Sequence, residues 1–274
     1  MPYITTNDGI QIHYEVFGEG KPLVMVSGGS TSMDYFTYSA PRLAEHMQVV
    51  LMDTRGRGDS DKPMHGNHLA RYGTDLKNLI DTLDLHDVTI LGWSVGVAVC
   101  WNYLELYASD GRVTKFIDVD QIPAQFRQAD WPYGHAVSYN YEQYIRMCYE
   151  HEELTYEKQL ANFVNNPLLA HLPQEFLAQC AAGRMKCPAE VGIRYMRDHT
   201  TQDYRDFIPT IKVETLALLG GIGDLFPLKG VEWVPDHIEG AKKVIFDGCG
   251  HSLHMHNPEK FEKEVIAFVC GEEA

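Results

Sequence analysis

A serine with a glycine two residues to either side, Gly92-Trp93-Ser94-Val95-Gly96, is the place in this chain where residue type and spacing point to chemistry. The apolar run Val88-Thr89-Ile90-Leu91 leads into it and reads as a buried strand, and Val95 to Leu106 leads out as a helix-compatible stretch. A strand that turns sharply into a helix pushes the intervening side chain out of the sheet in a strained backbone conformation. Glycines two positions away leave room for that turn. The hydroxyl then stands at a helix N-terminus, where the dipole and unpaired N–H groups favour developing negative charge. The chemistry this suits is nucleophilic attack on a carbonyl.

Such a serine needs a base. Gly248-Cys249-Gly250-His251-Ser252 comes directly after the apolar run Val244 to Phe246, which reads as a strand. Of 13 histidines, His251 alone follows that strand directly and is flanked by small residues, a setting for a general base that later acts as general acid. His254 and His256 come soon after, but neither an H-E-x-x-H arrangement nor a cysteine pair accompanies them. No metal site is expected, and these two histidines are read as lining the mouth of the site.

The elements that must position these groups alternate along the chain. Gln11 to Phe17 has the alternation of a half-exposed strand after the turn signal Asn7-Asp8-Gly9. Leu23 to Val26 and Val49 to Met52 are short continuous apolar runs, typical of parallel strands buried on both faces. Phe116 to Asp120 and Thr215 to Leu219 are further strands. Ala40 to His46, Leu69 to Leu83 and Phe261 to Val269 read as helices, the second with Leu76, Leu79, Ile80 and Leu83 at helical spacing. Residues 124–209 break this rhythm. They hold no convincing strand, are rich in aromatics, and contain helix-like stretches at Leu154 to Val164 and Phe176 to Gly183. An inserted block there sits over the carboxyl ends of the strands, where such folds bind ligands, so 124–209 is read as a helical lid on a core of 1–123 and 210–274. Trp93, Trp131 and Tyr139 are the aromatics expected to shape the substrate pocket.

Composition narrows the partners. A chain of 274 residues, 45% hydrophobic and 22% charged, can bury one sizeable core plus a modest insertion. A net charge of −15 argues against nucleic acid or an anionic membrane. The N-terminal residues show no signal-peptide pattern, and no apolar run approaches membrane-spanning length. The six cysteines are scattered and read as reduced thiols, so a cytoplasmic monomer or homodimer acting on a small hydrophobic molecule is expected.

Taken together, these motifs resemble the α/β-hydrolase fold. The resemblance rests on Val26-Ser27-Gly28-Gly29-Ser30, on Asp53-Thr54-Arg55-Gly56-Arg57-Gly58-Asp59-Ser60, on Gly92 to Gly96, and on Gly250-His251, and it covers nearly the whole chain outside the lid. With Val119-Asp120-Gln121-Ile122-Pro123 it is similar to the branch of serine esterases, cofactor-free haloperoxidases and lid-bearing hydrolases. It implies a mostly parallel eight-stranded sheet flanked by helices, and a Ser-His-Asp triad needing no cofactor and no metal. One oxyanion donor is then the N–H of Val95, and the other comes from Gly29 or its neighbour Ser30. Asp53 and Arg55 are expected to tie loops by charge-assisted hydrogen bonds.

Two positions depart from the family. Ser27 stands where a histidine is usual, which alters the support of the oxyanion loop and leaves the backbone donors in place. The acid is the second. The family pattern of Gly-x-x-Asp, with proline four residues after the aspartate, fits Asp224 counted from Gly221 but misses it by one residue counted back from Pro227. Asp120, at a strand end 26 residues after Ser94, is the other candidate, and Asp118 lies inside the same strand. Asp120 and Asp224 both stay open, with the rigid strand end favouring Asp120. The resemblance implies hydrolysis of an ester or related acyl bond. Carbon–carbon bond hydrolysis, perhydrolysis and cofactor-free oxygenation reuse the same triad, while dehalogenation needs a carboxylate where Ser94 stands. A hydrolase-like small-molecule receptor is the non-enzymatic reading.

Overall fold

Eight strands form one sheet in the order β1-β2-β4-β3-β5-β6-β7-β8 in a computed structural model that describes residues 2–135, 146 and 155–271. They are β1 (Tyr3–Thr5), β2 (Gln11–Phe17), β3 (Pro22–Val26), β4 (Gln48–Met52), β5 (Val88–Trp93), β6 (Val113–Val119), β7 (Glu214–Gly220) and β8 (Lys242–Phe246). β1 and β2 join antiparallel and the rest run parallel. Every residue of β3 and β5 is buried, which is why these strands read as unbroken apolar runs: helices cover both faces. β1 escapes a reading by periodicity because it is only three residues long.

α1 (Ala40–Leu43), α2 (Leu69–Thr82) and α3 (Val95–Tyr107) come next. α2 buries Leu69, Tyr72, Leu76, Leu79 and Ile80 as one stripe and packs on α3. α3 is buried from Val95 through Leu104, being sandwiched between α2 and the sheet. Between β6 and β7 the described residues contain α4 (Tyr156–Val164), α5 (Gln174–Met185) and α6 (Ala189–Thr201), and no strand beyond two isolated bridges. α6 buries Val191, Tyr195 and His199, a helical stripe of mixed chemistry that apolar periodicity does not pick out. α7 (Leu228–Asp236), α8 (Leu253–His256) and α9 (Pro258–Cys270) complete the order. Among the described residues no disulfide forms, and no helix is long and apolar enough to cross a membrane.

The loop after β4 is held by charge. Arg55, fully buried, forks onto Asp75 of α2 through Nε and Nη2, both at 2.6 Å, and its Nη1 reaches Asp8 at 2.9 Å. Asp53 does not pair with Arg55. It accepts the Met33 and Asp59 amides at 2.8 and 2.9 Å and stands 3.0 Å from His13 Nδ1. Replacing Arg55 by methionine leaves the fully buried Asp75 carboxylate with only Arg71, 3.7 Å away. We expect Arg55→Met to cost about 3–5 kcal/mol in urea unfolding, and Arg55→Met/Asp75→Leu to recover most of that loss. A double variant no better than the single one would contradict this account.

Candidate active site

Ser94 links β5 to α3 with φ 56° and ψ −126°, a left-handed conformation that a serine holds only when its surroundings over-determine it. The surroundings do so by close approach. A Cβ at Gly92 would overlap the backbone of Gly96 and Val97, and one at Gly96 would overlap the Val26 carbonyl of β3. The Ser94 amide donates to the Val119 carbonyl at 3.1 Å, and the Val97 amide to the Ser94 carbonyl at 2.8 Å. Val95 is the first residue of α3, so its N–H has no acceptor within the helix. Gly29 is its neighbour: a Cβ there would sit 3.2 Å from Val95 Cγ2. Ser30, also at positive φ (54°), turns its hydroxyl to Tyr195 Oη at 2.9 Å. Gly29 and Val95 line the same cavity as Ser94, and Ser30 is not part of its wall.

His251 follows β8 and lines that cavity too. Its Nδ1 stands 2.7 Å from Asp120 Oδ2, at the end of β6, and Asp120 Oδ1 accepts the Gly220 amide at 2.8 Å. Asp224 meets the backbone of the same histidine and not its ring: Oδ1 accepts the His251 amide at 2.8 Å and the Leu225 amide at 3.0 Å. The one-residue offset against Pro227 is consistent with a carboxylate that arrives at the loop and not at the imidazole. Asp118 is fully buried within β6, and burial, with Asp120 nearby, pushes its carboxyl well above the usual range. The histidine loop is braced further by Trp93 Nε1 donating to the His251 carbonyl (3.0 Å) and the Gly250 amide donating to His256 Nδ1 (3.0 Å). No hydrogen bond joins Ser94 to His251 among the described residues; unliganded sites often hold that bond long until substrate closes it.

The shared cavity has a volume of about 350 Å³. Trp93 lines it, stacked on Tyr35 with ring centroids 5.4 Å apart. α4 contributes Phe163, α5 Arg184, and α6 Tyr195 and His199. Trp131, expected in this pocket, is placed elsewhere. Its indole N–H donates to the Ala124 carbonyl at 2.8 Å, and its ring packs edge-on against Tyr133 and Trp233, where it satisfies its polar edge and buries its area. Tyr139 lies outside the described residues. Tyr35, Arg184, Tyr195 and His199 carry no motif, and the sequence offers no local signal for them. The one His/Asp group with metal-ligand spacing among the described residues is His13, Asp53 and Asp59. Asp53 holds His13, and Lys186 holds Asp59 at 2.7 Å, so this group reads as a charge-tied loop.

Comparison with known proteins agrees with this architecture. The profile of a family described as alpha/beta hydrolase fold matches residues 21–258. A putative non-heme chloroperoxidase from Synechocystis sp. is 24% identical over 279 residues, covering 98% of this chain and 100% of that protein. The pimeloyl-[acyl-carrier protein] methyl ester esterase of Nitrosomonas europaea is 25% identical over 261 residues, covering 91% and 96%. Among solved structures, the esterase EaEST from Exiguobacterium antarcticum superposes with a TM-score of 0.88 at 25% identity, covering 98% of each chain.

Two cavity histidines are held neutral. Burial keeps His199 down at about 3, helped by His135 and Arg57, and burial with nearby His251 keeps His135 at about 4. In the unfolded chain these imidazoles take up protons below about pH 6.5, while in the folded protein they do not. The unfolded state then binds more protons, so their contribution is complete above pH 6.5 and is lost as pH falls towards 4. Urea titrations between pH 6.5 and 5 should show stability falling by roughly 1 kcal/mol per pH unit for each such histidine. His199→Gln should lower that slope by about one proton; an unaltered slope would show that His199 is not held neutral.

Proposed function

This chain belongs to the alpha/beta hydrolase fold family, and on that premise we propose that it is a serine hydrolase cleaving an ester or related acyl bond of a small substrate. The observation that carries the reading is the 2.7 Å contact of His251 Nδ1 with Asp120, made by a ring that lines the same cavity as Ser94. In this reading Ser94 Oγ attacks the carbonyl carbon and its proton passes to His251 Nε2. Asp120 fixes the tautomer and stabilises the imidazolium. The N–H groups of Val95 and Gly29 hold the oxyanion. Collapse breaks the acyl–oxygen bond, and the departing alkoxide takes the proton from His251. Water, deprotonated by the same ring, then releases the acid and restores Ser94.

The cavity volume of about 350 Å³ suits a small molecule, and Trp93, Tyr35 and Phe163 give it an apolar wall. In this reading 124–209 is a lid, supported by α4, α5 and α6, which contribute Phe163, Arg184, Tyr195 and His199 to the cavity wall. The likeness to a protein named a chloroperoxidase favours one second reading: perhydrolysis, with hydrogen peroxide in place of water at the acyl-enzyme.

Ser94→Ala should abolish labelling by a fluorophosphonate and lower ester turnover by about three orders of magnitude or more, leaving what the oxyanion donors supply. Labelling retained at another residue would sink the assignment. Asp120→Asn should cost about four orders of magnitude in kcat through the wrong imidazole tautomer. Asp224→Asn keeps an acceptor for the His251 amide and should cost far less. The reverse ranking in steady-state kinetics would transfer the role to Asp224.

A further inference from the structure

Among the described residues, the cavity that holds Ser94 and His251 contains one fixed positive charge. Arg184, in the last turn of α5, lines it, and Arg184 Nε is buried without a hydrogen-bond partner. None of the described lining residues is an aspartate or glutamate, and no ion pair forms at Arg184 among the described residues. Two other cations of this chain, whose net charge is −15, do meet acids: Lys186, two residues on, pairs with Asp59 at 2.7 Å, and Arg205 reaches Asp130 at 2.9 Å.

A second arginine stands behind the same wall. Arg57 is fully buried, with Nε and Nη2 unpartnered, and its guanidinium lies 4.4 Å from the centre of the Tyr195 ring. Its one hydrogen bond, from Nη1, goes to the neutral Gly28 carbonyl at 2.8 Å. His135 and His199 are held neutral by burial and supply no charge of either sign. The Tyr35 phenol, beside Arg184, stays protonated because burial raises it, and so offers an O–H donor next to the cation. A helix C-terminus favours a cation at Arg184's position, but it does not explain why the side chain lines a cavity whose described walls hold no carboxylate. A buried cation lacking an internal anion is costly unless a ligand supplies one.

Building on the serine-hydrolase reading, we propose that Arg184 binds a carboxylate of the substrate. The preferred substrate class is then a small ester or lactone that also bears a free acid, such as the half-ester of a dicarboxylic acid. The Tyr35 hydroxyl is the second donor to that carboxylate. Arg57 contributes from behind, through the positive field and through its hold on the Gly28-Gly29 loop. The scissile bond and the proton transfers are those given above; Arg184 enters no covalent step and acts on binding and orientation.

The test compares two p-nitrophenyl esters of equal chain length, the neutral butyrate and the anionic hemisuccinate, on the full-length wild-type protein, Arg184→Gln and Arg184→Lys. We expect the wild type to favour the hemisuccinate in kcat/KM. Arg184→Gln should lower the hemisuccinate-to-butyrate ratio about ten- to a hundredfold, mostly through KM, and Arg184→Lys should retain part of it. A ratio unaltered in Arg184→Gln, or a wild type that prefers butyrate, overturns the proposal while leaving the hydrolase reading intact. Should neither ester be turned over and Ser94 resist fluorophosphonate, the hydrolase reading fails, and calorimetry with succinate decides the anion site alone. Binding at least tenfold weaker in Arg184→Gln than in the wild type supports the site, and binding equal in both or absent from the wild type overturns it.

Discussion

A serine at φ 56° costs free energy, of order 1–3 kcal/mol for a residue held in so sparse a region, and the molecule's centre is arranged to hold it there. β5 is fully buried up to Trp93, α3 begins at once at Val95, and α3 presses so closely on β5 and on β3 that only glycine fits at positions 92 and 96. That packing requires small approach distances on one side, and α3 is apolar without a break from Val95 through Trp101. It explains why α3 is buried along ten consecutive residues, Val95 through Leu104, when a surface helix would bury a stripe. The hydroxyl at the apex and the N–H of Val95 inherit their positions from this single turn, and Gly29, on the loop after β3, packs beside Val95.

The same logic recurs one strand over. Asp120 also sits at positive φ (56°), immediately past the end of β6, and its two carboxylate oxygens are divided between the Gly220 amide and the His251 ring. A carboxylate fixed by a neighbouring strand's backbone has little freedom, which suits a group meant to orient an imidazole. Asp224 does complementary work on the main chain, holding the His251 amide while Trp93 holds the His251 carbonyl. The ring and its backbone are thus pinned by different groups from different strands. On the opposite side, Ser27 replaces a histidine usual in the family, and Arg57 reaches the Gly28 carbonyl from the loop after β4. The Gly28-Gly29 loop is steadied from a distance in sequence of 29 residues.

Much of this was open to reading along the chain. Val88 to Gly96 is legible because strand burial, turn strain and helix start are all local, and each leaves its mark within a few residues. His251 is legible because it follows an apolar run directly and stands among small residues. Trp131 shows the limit: an aromatic in a helical insertion has equal reason to line a pocket or to pack on a neighbouring helix, and Trp233, more than a hundred positions away, is what receives it. Arg184 and Tyr195 show it again, since nothing near them in sequence distinguishes a surface side chain from one turned inward.

By itself, then, the sequence determined the fold class, the strained setting of Ser94, the place of His251 after a strand and the choice between Asp120 and Asp224, because these follow from short-range patterns of burial and backbone conformation. Which carboxylate meets the imidazole was decided only in three dimensions. Asp120 and Asp224 both reach His251, one at the ring and one at the amide, and the difference is the placement of a strand end against a loop. The charge of the cavity was likewise a tertiary outcome. Arginines at 57 and 184 look like any others in an acidic chain until the fold leaves both, among the described residues, without a carboxylate partner around one small space. Pairing between residues far apart in sequence is set by packing, and packing is the term that a one-dimensional pattern does not contain.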